Sequence, residues 1–490
     1  MFMISLMISN TVIADVDALL NQEQIPDFSP ITSLSTLTSL KNIKNNQLNQ
    51  TPFVQDIPSE LKVRTLFVET HDLPIIDLQL TFNAGSAQDL NFKGISGTAN
   101  MAAKLLFEGT DQYTAKQLIS TFNHYGAKVS ATAHRDMFII RLRVLSDPQK
   151  LDPALNLLLH VIQKSNFNQS GLNLVVSNTQ IGQKQIQENP SRLMSVRFYR
   201  DLYGKHPYAE PSVGTQGSIK KINPELLQEF RDQYLVAQNT NIAITGDLSQ
   251  QQAATISNLI SQALPQGTKA PTLPDPIGTD KNRITVIPYQ SGQAHVTMGH
   301  IAIARDDPDR VALEVANRIF GGGSFNSLLS KELRVKRGLT YSASSSLTTT
   351  QVAGVFSFRY STQQDRLLES IQIAHQTLND FIQKPITQQQ LNETKEGMLY
   401  AYPMLFSSNA NINAQIASIG FYGLDTNYLN TYQKALSNIT LKEVTNAIQR
   451  HLHADKLNVV VLAQDTTATQ IEAILNQNLG LEPISKEKNE

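Results

Sequence analysis

The feature that most constrains the fold is a pattern that repeats on either side of a proline-rich segment. Residues 263–283 contain four prolines and are predicted to be a linker. Gly126–Ala131 follows a helical pattern before this linker, and Gly338–Ala343 follows one after it. In both halves an alternating strand and a long amphipathic helix come next, at 137–145 and 153–163 and again at 355–361 and 367–381.

The last strands of the two halves also match. Asn241–Ile244 corresponds to Asn458–Val461, so the offset is 217 residues here and 212 residues between positions 126 and 338. The alternative is chance similarity of short strands, but four elements in the same order favour duplication of one α+β unit. The sequence therefore predicts an α+β fold with two tandem homologous domains, at 61–262 and 284–480.

Composition excludes several classes of function. The chain has 490 residues, a formal net charge of −1 and no cysteine. The near-neutral charge provides no basic surface for nucleic acid, and the lack of cysteine excludes disulfides, thiolate zinc sites and cysteine nucleophiles. No later segment approaches the ~20 apolar residues of a membrane span. We expect neither a nucleic-acid partner nor a transmembrane span.

The N-terminus is typical of an exported protein. Residues 1–14 start with an apolar run, and Val12 and Ala14 occupy the −3 and −1 positions of a signal-peptidase site. No basic residue precedes position 41, so the charged start of a signal peptide is missing. Residues 15–60 are polar and predict an arm, and 481–490 predict a tail. We expect a periplasmic or otherwise exported protein, and a cytoplasmic one if the apolar run is not a signal.

Residues 94–110 have the frame of a metal-binding helix without its ligands. Apolar residues recur there at helical spacing, and Gly109-Thr110 ends the pattern. In peptidases with an inverted H-x-x-E-H signature, two histidines bind Zn²⁺ and the glutamate is the general base. The corresponding residues here are Asn100, Ala103 and Lys104. A carboxamide is a poor zinc ligand, a methyl group takes no proton and an ammonium repels a divalent cation, so we expect no metal on this helix.

Further motifs around this helix resemble the pitrilysin/insulinase-like metallopeptidases, the group that includes the mitochondrial processing peptidase. The resemblance covers about residues 60–480. It implies two α+β domains, each an antiparallel sheet covered by helices, which form half of a clamshell around unfolded peptides. The motifs are, in chain order, Phe82–Asp89, Leu106–Thr110, Leu202–Tyr208, Gly321–Leu329 and Leu333–Tyr341.

The rest of the family's zinc site is missing as well. The third ligand in the family is a glutamate farther along the chain, but no Glu occurs from Gly109 through Gln187. The expected stretch, 177–183, offers amides instead. None of the ten histidines forms an i,i+4 pair, and a lone histidine is more often structural than a ligand. We assign a structural role to His206.

One pair of residues that the family uses is intact. The resemblance implies that Arg334 and Tyr341 reach over the zinc site of a facing half and donate hydrogen bonds to the substrate carbonyl and its oxyanion. Removing one such donor typically costs about 10²–10³ in rate. The alternative is that Arg334 pairs with Glu332 and that Tyr341 packs in a strand.

These observations predict a zinc-free subunit of a two-chain zinc peptidase. Its partner would be a homologous chain with the intact signature and the zinc, and Arg334 and Tyr341 would act in trans in hydrolysis of unfolded peptides. This chain would be inactive alone. The rival interpretation is a wholly non-catalytic peptide-binding or scaffold subunit, like the core proteins of respiratory complexes. A third alternative is a self-sufficient enzyme with relocated metal ligands.

Overall fold

A computed structural model describes residues 51–59, 61, 63–323 and 325–479. The predicted signal peptide, most of the predicted arm and the predicted tail lie outside the described residues. Two β-sheets form the centre of the described part. The strands are β1 (Gln55–Ile57), β2 (Arg64–Glu69), β3 (Ile75–Phe82), β4 (Lys128–Ala133), β5 (Phe138–Leu145), β6 (Thr240–Gly246), β7 (Arg283–Pro288), β8 (Gln293–Ile301), β9 (Ala343–Thr348), β10 (Val355–Gln363) and β11 (Asn458–Ala463).

The two sheets have corresponding strand orders. The first is β1-β2-β6-β3-β5-β4 and the second is β7-β11-β8-β10-β9, so they match strand for strand once β1 is set aside. The duplicated α+β fold is thus confirmed. Each sheet differs from the predicted antiparallel one in a single parallel pair, β2–β6 or β11–β7. The reason is that the last strand of each half inserts between two antiparallel strands and must run parallel to one of them.

β1 lies in the range that was predicted to be a polar arm. It pairs antiparallel with β2, with Asp56 opposite Leu66, and Ile57 is buried in the first core. The folded part of the chain therefore includes residues 51–59. The apolar side chains of Val54 and Ile57 are buried in the core, which the polar composition of the surrounding segment did not indicate.

Helices cover both sheets, and several begin with a side-chain cap on the first turn. No helix in the described part is long and apolar enough to cross a bilayer. The helices are α1 (Asp89–Phe92), α2 (Thr98–Leu105), α3 (Ala115–His124), α4 (Pro148–Lys164), α5 (Gln169–Glu188), α6 (Pro190–Tyr203), α7 (Gln216–Ile219), α8 (Pro224–Tyr234), α9 (Gln250–Ala263), α10 (Arg310–Asn317), α11 (Leu328–Ser330), α12 (Leu367–Gln383), α13 (Gln388–Ala401), α14 (Asn409–Phe421), α15 (Tyr428–Asn438), α16 (Leu441–His451) and α17 (Ala468–Asn478).

The two halves exchange one helix each. α14, from the second half, packs on β2, β3 and β6 of the first sheet, and α6, from the first half, packs on β8 and β11 of the second sheet. Asn413 on α14 donates a hydrogen bond to the Asp77 carbonyl at 2.9 Å, and Asn458 on β11 donates one to the Phe198 carbonyl on α6 at 3.2 Å. The segment between α9 and β7 has no regular secondary structure.

This exchange explains why β3 is not half-buried. The alternating pattern of β3 predicts one exposed polar face, but Asp77, Gln79 and Thr81 are all buried. α14 covers that face of β3. The buried carboxylate of Asp77 on β3 accepts two hydrogen bonds from Arg143, at 2.8 and 2.9 Å. A bidentate pair of this kind offsets much of the cost of burying the charge.

Candidate functional site

Helix α2 is held at its N-terminus by a buried carboxylate. Asp89 is 1% exposed, and its two oxygens accept the backbone N–H groups of Gly97 at 2.7 Å and Ala99 at 2.9 Å. Burial raises the pKa of Asp89 to about 7, although these hydrogen bonds favour the charged form. Gly97 has φ +98, and a Cβ there would lie 2.9 Å from the Gly214 Cα. A cap and a close backbone contact therefore fix the start of α2.

The three positions of the missing zinc signature lie on α2, as predicted. Ala103 is buried, and the Asn100 Oδ1 atom is buried without a hydrogen-bond partner. Lys104 extends from the end of the helix, and its Nζ donates a hydrogen bond to Thr179 Oγ1 at 3.1 Å. Partial burial lowers the pKa of Lys104. An amide, a methyl group and an ammonium do not form a zinc site, since zinc takes deprotonated nitrogen, sulfur or carboxylate ligands.

Helix α5 supplies the side chains that face α2. Thr179 and Gln183 are both buried, and Gln183 Nε2 donates a hydrogen bond to the Gly214 carbonyl at 2.9 Å. The Gln183 Oε1 atom is buried without a partner, as Asn100 Oδ1 is. The stretch in which the family places its third ligand therefore does contact α2, but through the hydroxyl of Thr179.

Arg334 and Tyr341 lie together on the second half. The Arg334 Cζ atom is 4.8 Å from the centroid of the Tyr341 ring and 4.1 Å from that of Phe325. Phe325 is 60% exposed and Tyr341 is 82% exposed. The guanidinium group thus lies against two aromatic rings at the surface, where cation–π attraction stabilises it. A role for Phe325 was not predicted, although its place two residues after the glycine run indicates an aromatic group on a loop.

The structural alternative for this pair does not hold. Glu332 forms ion pairs with Lys336 and Arg337, each at 2.6 Å, rather than with Arg334. Tyr341 precedes β9 and does not pack within it. Within the described residues, no hydrogen bond or ring contact joins Arg334 or Tyr341 to the α2 positions.

The histidines do not rebuild a zinc site on α2. His206 has a structural role: its Nε2 donates to the Pro274 carbonyl at 2.8 Å, and its Nδ1 accepts the Tyr208 N–H. Among the described residues, the only group of acidic and histidine side chains close enough to share an ion is Asp307, Asp309 and His451. Asp309 in this group is already bonded to His451 and to the Arg450 guanidinium, so it belongs to an ion-pair network.

The fold and the site define a class of protein: a homologue of a two-domain zinc peptidase whose zinc-helix position lacks its ligands. Residues 64–216 match the family described as Insulinase (Peptidase family M16), and residues 221–398 match the Peptidase M16 inactive domain. A crystal structure of a peptidase M16 inactive domain from Pseudomonas fluorescens is 32% identical, with a TM-score of 0.80. The match covers 84% of this chain and 98% of that one.

Curated relatives agree with these matches. The "Non-peptidase homolog YmxG" of Helicobacter pylori is 25% identical over 411 residues, which are 83% of this chain and 93% of that protein. An "Uncharacterized zinc protease" of Rickettsia felis is 26% identical over 315 residues, which are 62% of this chain and 72% of that protein. The chain belongs to the insulinase-like peptidase family M16. Within this family it is an inactive, M16-like homologue.

Proposed function

We propose that this chain is the zinc-free subunit of a two-chain peptidase and supplies Arg334 and Tyr341 to the zinc site of a homologous partner. The observation that carries the proposal is the Arg334 guanidinium, which is presented between Phe325 and Tyr341 and has no acidic partner among the described residues. Glu332, two residues away, pairs with Lys336 and Arg337 instead, which leaves the hydrogen-bond donors of Arg334 available to a substrate.

The chemistry of the pair suits an oxyanion. Arg334 carries a permanent charge and five N–H donors, and the Tyr341 hydroxyl is a neutral donor. Tyr341 is 82% exposed, so its hydroxyl can reach a group on a facing surface. Donors that are positioned before the reaction stabilise the charge that develops on a carbonyl oxygen, and each contributes about 10²–10³ in rate.

The partner would supply what α2 lacks. Its zinc would activate a water molecule for attack on an unfolded peptide. Two chains with this fold would each form half of a clamshell around the substrate, and this chain binds no zinc of its own at Asn100, Ala103 and Lys104. We further propose that the protein is exported, on the basis of residues 1–14.

The test is to coexpress this chain with a homologous chain that carries the H-x-x-E-H signature and to measure cleavage of an unfolded peptide. Arg334→Ala should lower kcat by about 10²–10³ while the pair stays assembled. Tyr341→Phe, which removes only the hydroxyl, should lower kcat in the same direction. Arg359→Ala, at an exposed arginine on β10, is the matched control and should leave kcat unchanged. An assembled pair in which Arg334→Ala keeps full activity would refute the proposal.

The second candidate is a wholly non-catalytic subunit that binds peptides or braces an assembly. The relative described as a non-peptidase homologue favours it, and so do the exposed rings of Phe325 and Tyr341, which could hold a peptide without catalysis. This candidate predicts that the assembled pair cleaves no peptide, or that its kcat is insensitive to both substitutions while peptide affinity falls.

A further inference from the structure

A cavity in the second half is lined by more positive than negative side chains. It encloses about 280 Å³ between α10, α13 and α15. Three arginines line it, Arg305, Arg310 and Arg318, together with a single carboxylate, Glu314. The cavity shares no residue with the Arg334 and Tyr341 pair, so its role is separate from the proposed function.

Arg310 is the most buried of the three arginines. It is 5% exposed, and its guanidinium lies 5.2 and 5.4 Å from the ring centroids of Tyr428 and Tyr432. Its one side-chain hydrogen bond goes to Glu314 Oε1 at 3.2 Å, which leaves most of its five donors without a protein acceptor. Arg310 is also the first residue of α10, where the helix dipole disfavours a positive charge. The position costs stability, and a bound anion would offset that cost.

Glu314 cannot neutralise the cavity. Its Oε1 pairs with Arg310, and its Oε2 accepts the Tyr432 hydroxyl at 2.6 Å. The other two arginines use one donor nitrogen each on neutral oxygens, Arg305 on Thr349 and Arg318 on the Gly322 carbonyl. The Nε atom of Arg305 is buried and has no partner. Three arginines therefore line the cavity with one carboxylate, which only Arg310 contacts, and an anion would balance the remaining positive charge.

Apart from Gln415, the remaining wall of the cavity is apolar or aromatic. Met398, Leu405 and Leu436 line it beside the tyrosine rings. We propose that this cavity binds a carboxylate attached to an apolar or aromatic group. The planar carboxylate matches the fork of a guanidinium with two parallel hydrogen bonds, and the apolar group fills the wall. Such a ligand is either a small free acid or the C-terminal residue of a peptide.

The test measures binding to the full-length chain by titration calorimetry with N-acetyl-phenylalanine and its neutral amide. The acid should bind at least tenfold more tightly than the amide, because only the acid carries a negative charge that can pair with the arginines. Arg310→Gln should weaken binding of the acid by about tenfold or more, the effect expected of one charge-assisted hydrogen bond. Arg318→Gln changes an exposed side chain and should have the same direction of effect even if Arg310→Gln impairs folding. Arg359→Gln should leave the affinity unchanged.

A short peptide that ends in phenylalanine separates the two sources of the carboxylate. Binding of the peptide acid as tight as that of N-acetyl-phenylalanine indicates a site for chain termini, whereas binding of the small acid alone indicates a free metabolite. Equal affinity for acid and amide, or no binding of the acid at millimolar concentration, would overturn the proposal. Because the measurement needs neither a partner nor catalysis, its failure leaves the proposed peptidase role untouched.

Discussion

Lys104 on α2 donates a hydrogen bond from its Nζ atom to Thr179 Oγ1 on α5, at 3.1 Å. This contact joins the helix that has lost the zinc signature to the stretch in which the family places its third ligand. An ammonium group therefore lies between two helices that would both have to contribute ligands. The contact also identifies Thr179 as a position from which a carboxylate could reach a metal held at position 104.

Restoring the ligands should restore zinc binding only when both helices are changed. We expect the variant Asn100→His, Ala103→Glu, Lys104→His with Thr179→Glu to retain close to one zinc per chain after dialysis, measured by elemental analysis. Three protein ligands and a water form the usual catalytic zinc site.

The matched control carries the three α2 substitutions but keeps Thr179. With only two ligands it should lose most of its zinc in the same dialysis. Equal zinc content in the two variants would show that Thr179 does not face the metal position.

Phe325 should act as a positioning residue for Arg334. Phe325→Ala removes one of the two rings against the guanidinium, and an exposed cation–π contact contributes about 0.5–1 kcal/mol. We expect kcat of the assembled peptidase pair to fall about two- to fivefold, with KM and the melting temperature nearly unchanged. Phe53→Ala, which removes another exposed phenylalanine, is the control and should change neither quantity. If Phe325→Ala lowers only the melting temperature, the ring has a structural role alone.

Much of the fold follows from the sequence because local patterns encode it. The β5 and β10 strands and the α4 and α12 helices are visible as repeated periodicities, and the proline-rich linker marks where the repeat begins again. The exchange of α6 and α14 is not visible, because it depends on which sheet a helix meets rather than on the pattern of the helix itself.

The candidate site, like the fold, could be predicted from the sequence only in part. The absence of ligands at Asn100, Ala103 and Lys104 follows from the residue types alone. The contacts of Arg334 could not be predicted in this way, because Glu332 is only two residues away in sequence but forms ion pairs with Lys336 and Arg337. Burial of Asp77 on β3 was equally hidden, since the helix that covers it comes from residues 409–421.

The exchanged helix α14 should make the two halves unfold as one unit. Asn413 is 3% exposed, and its amide donates to the Asp77 carbonyl. Asn413→Ala should lower the free energy of unfolding by about 1–3 kcal/mol, because a buried carbonyl loses its partner. Chemical denaturation followed by circular dichroism measures this value.

Asn411→Ala is the control on the same helix. Asn411 is exposed, and its side chain bonds only to the hydroxyl of Ser407 just before the helix, so its loss should cost less than about 0.5 kcal/mol. A second transition in Asn413→Ala would mean that the halves have become independent. If both variants unfold like the parent protein, the exchange contributes little.

Acid should destabilise the second half through His300. This residue is 3% exposed, its Nδ1 donates to the Ile301 carbonyl at 2.8 Å, and its Nε2 accepts the His453 N–H at 3.3 Å. Burial lowers the pKa of His300 from 6.5 to about 4. Between these values the unfolded chain binds a proton that the folded chain does not, so the free energy of unfolding falls as the pH falls. The contribution of His300 to this loss is about 1.4 kcal/mol per pH unit, complete near pH 4, where the folded state also takes up the proton.

Denaturation at a series of pH values between 4 and 7 measures this effect. His300→Phe removes the titrating group. The slope of its free energy of unfolding against pH should therefore be smaller by the equivalent of about one proton in this window, even if the variant is less stable at pH 7. Some dependence should remain, because burial also lowers the pKa of His375, which donates to the Ala454 carbonyl at 2.8 Å. Burial raises the pKa of Asp89 to about 7, so Asp89 contributes a dependence of the opposite sign in the same window. His124→Gln changes an exposed histidine and should keep the slope of the parent protein. A His300→Phe variant with the parent slope would show that His300 is already protonated in the folded state at pH 6, against the hydrogen bonds that its ring makes.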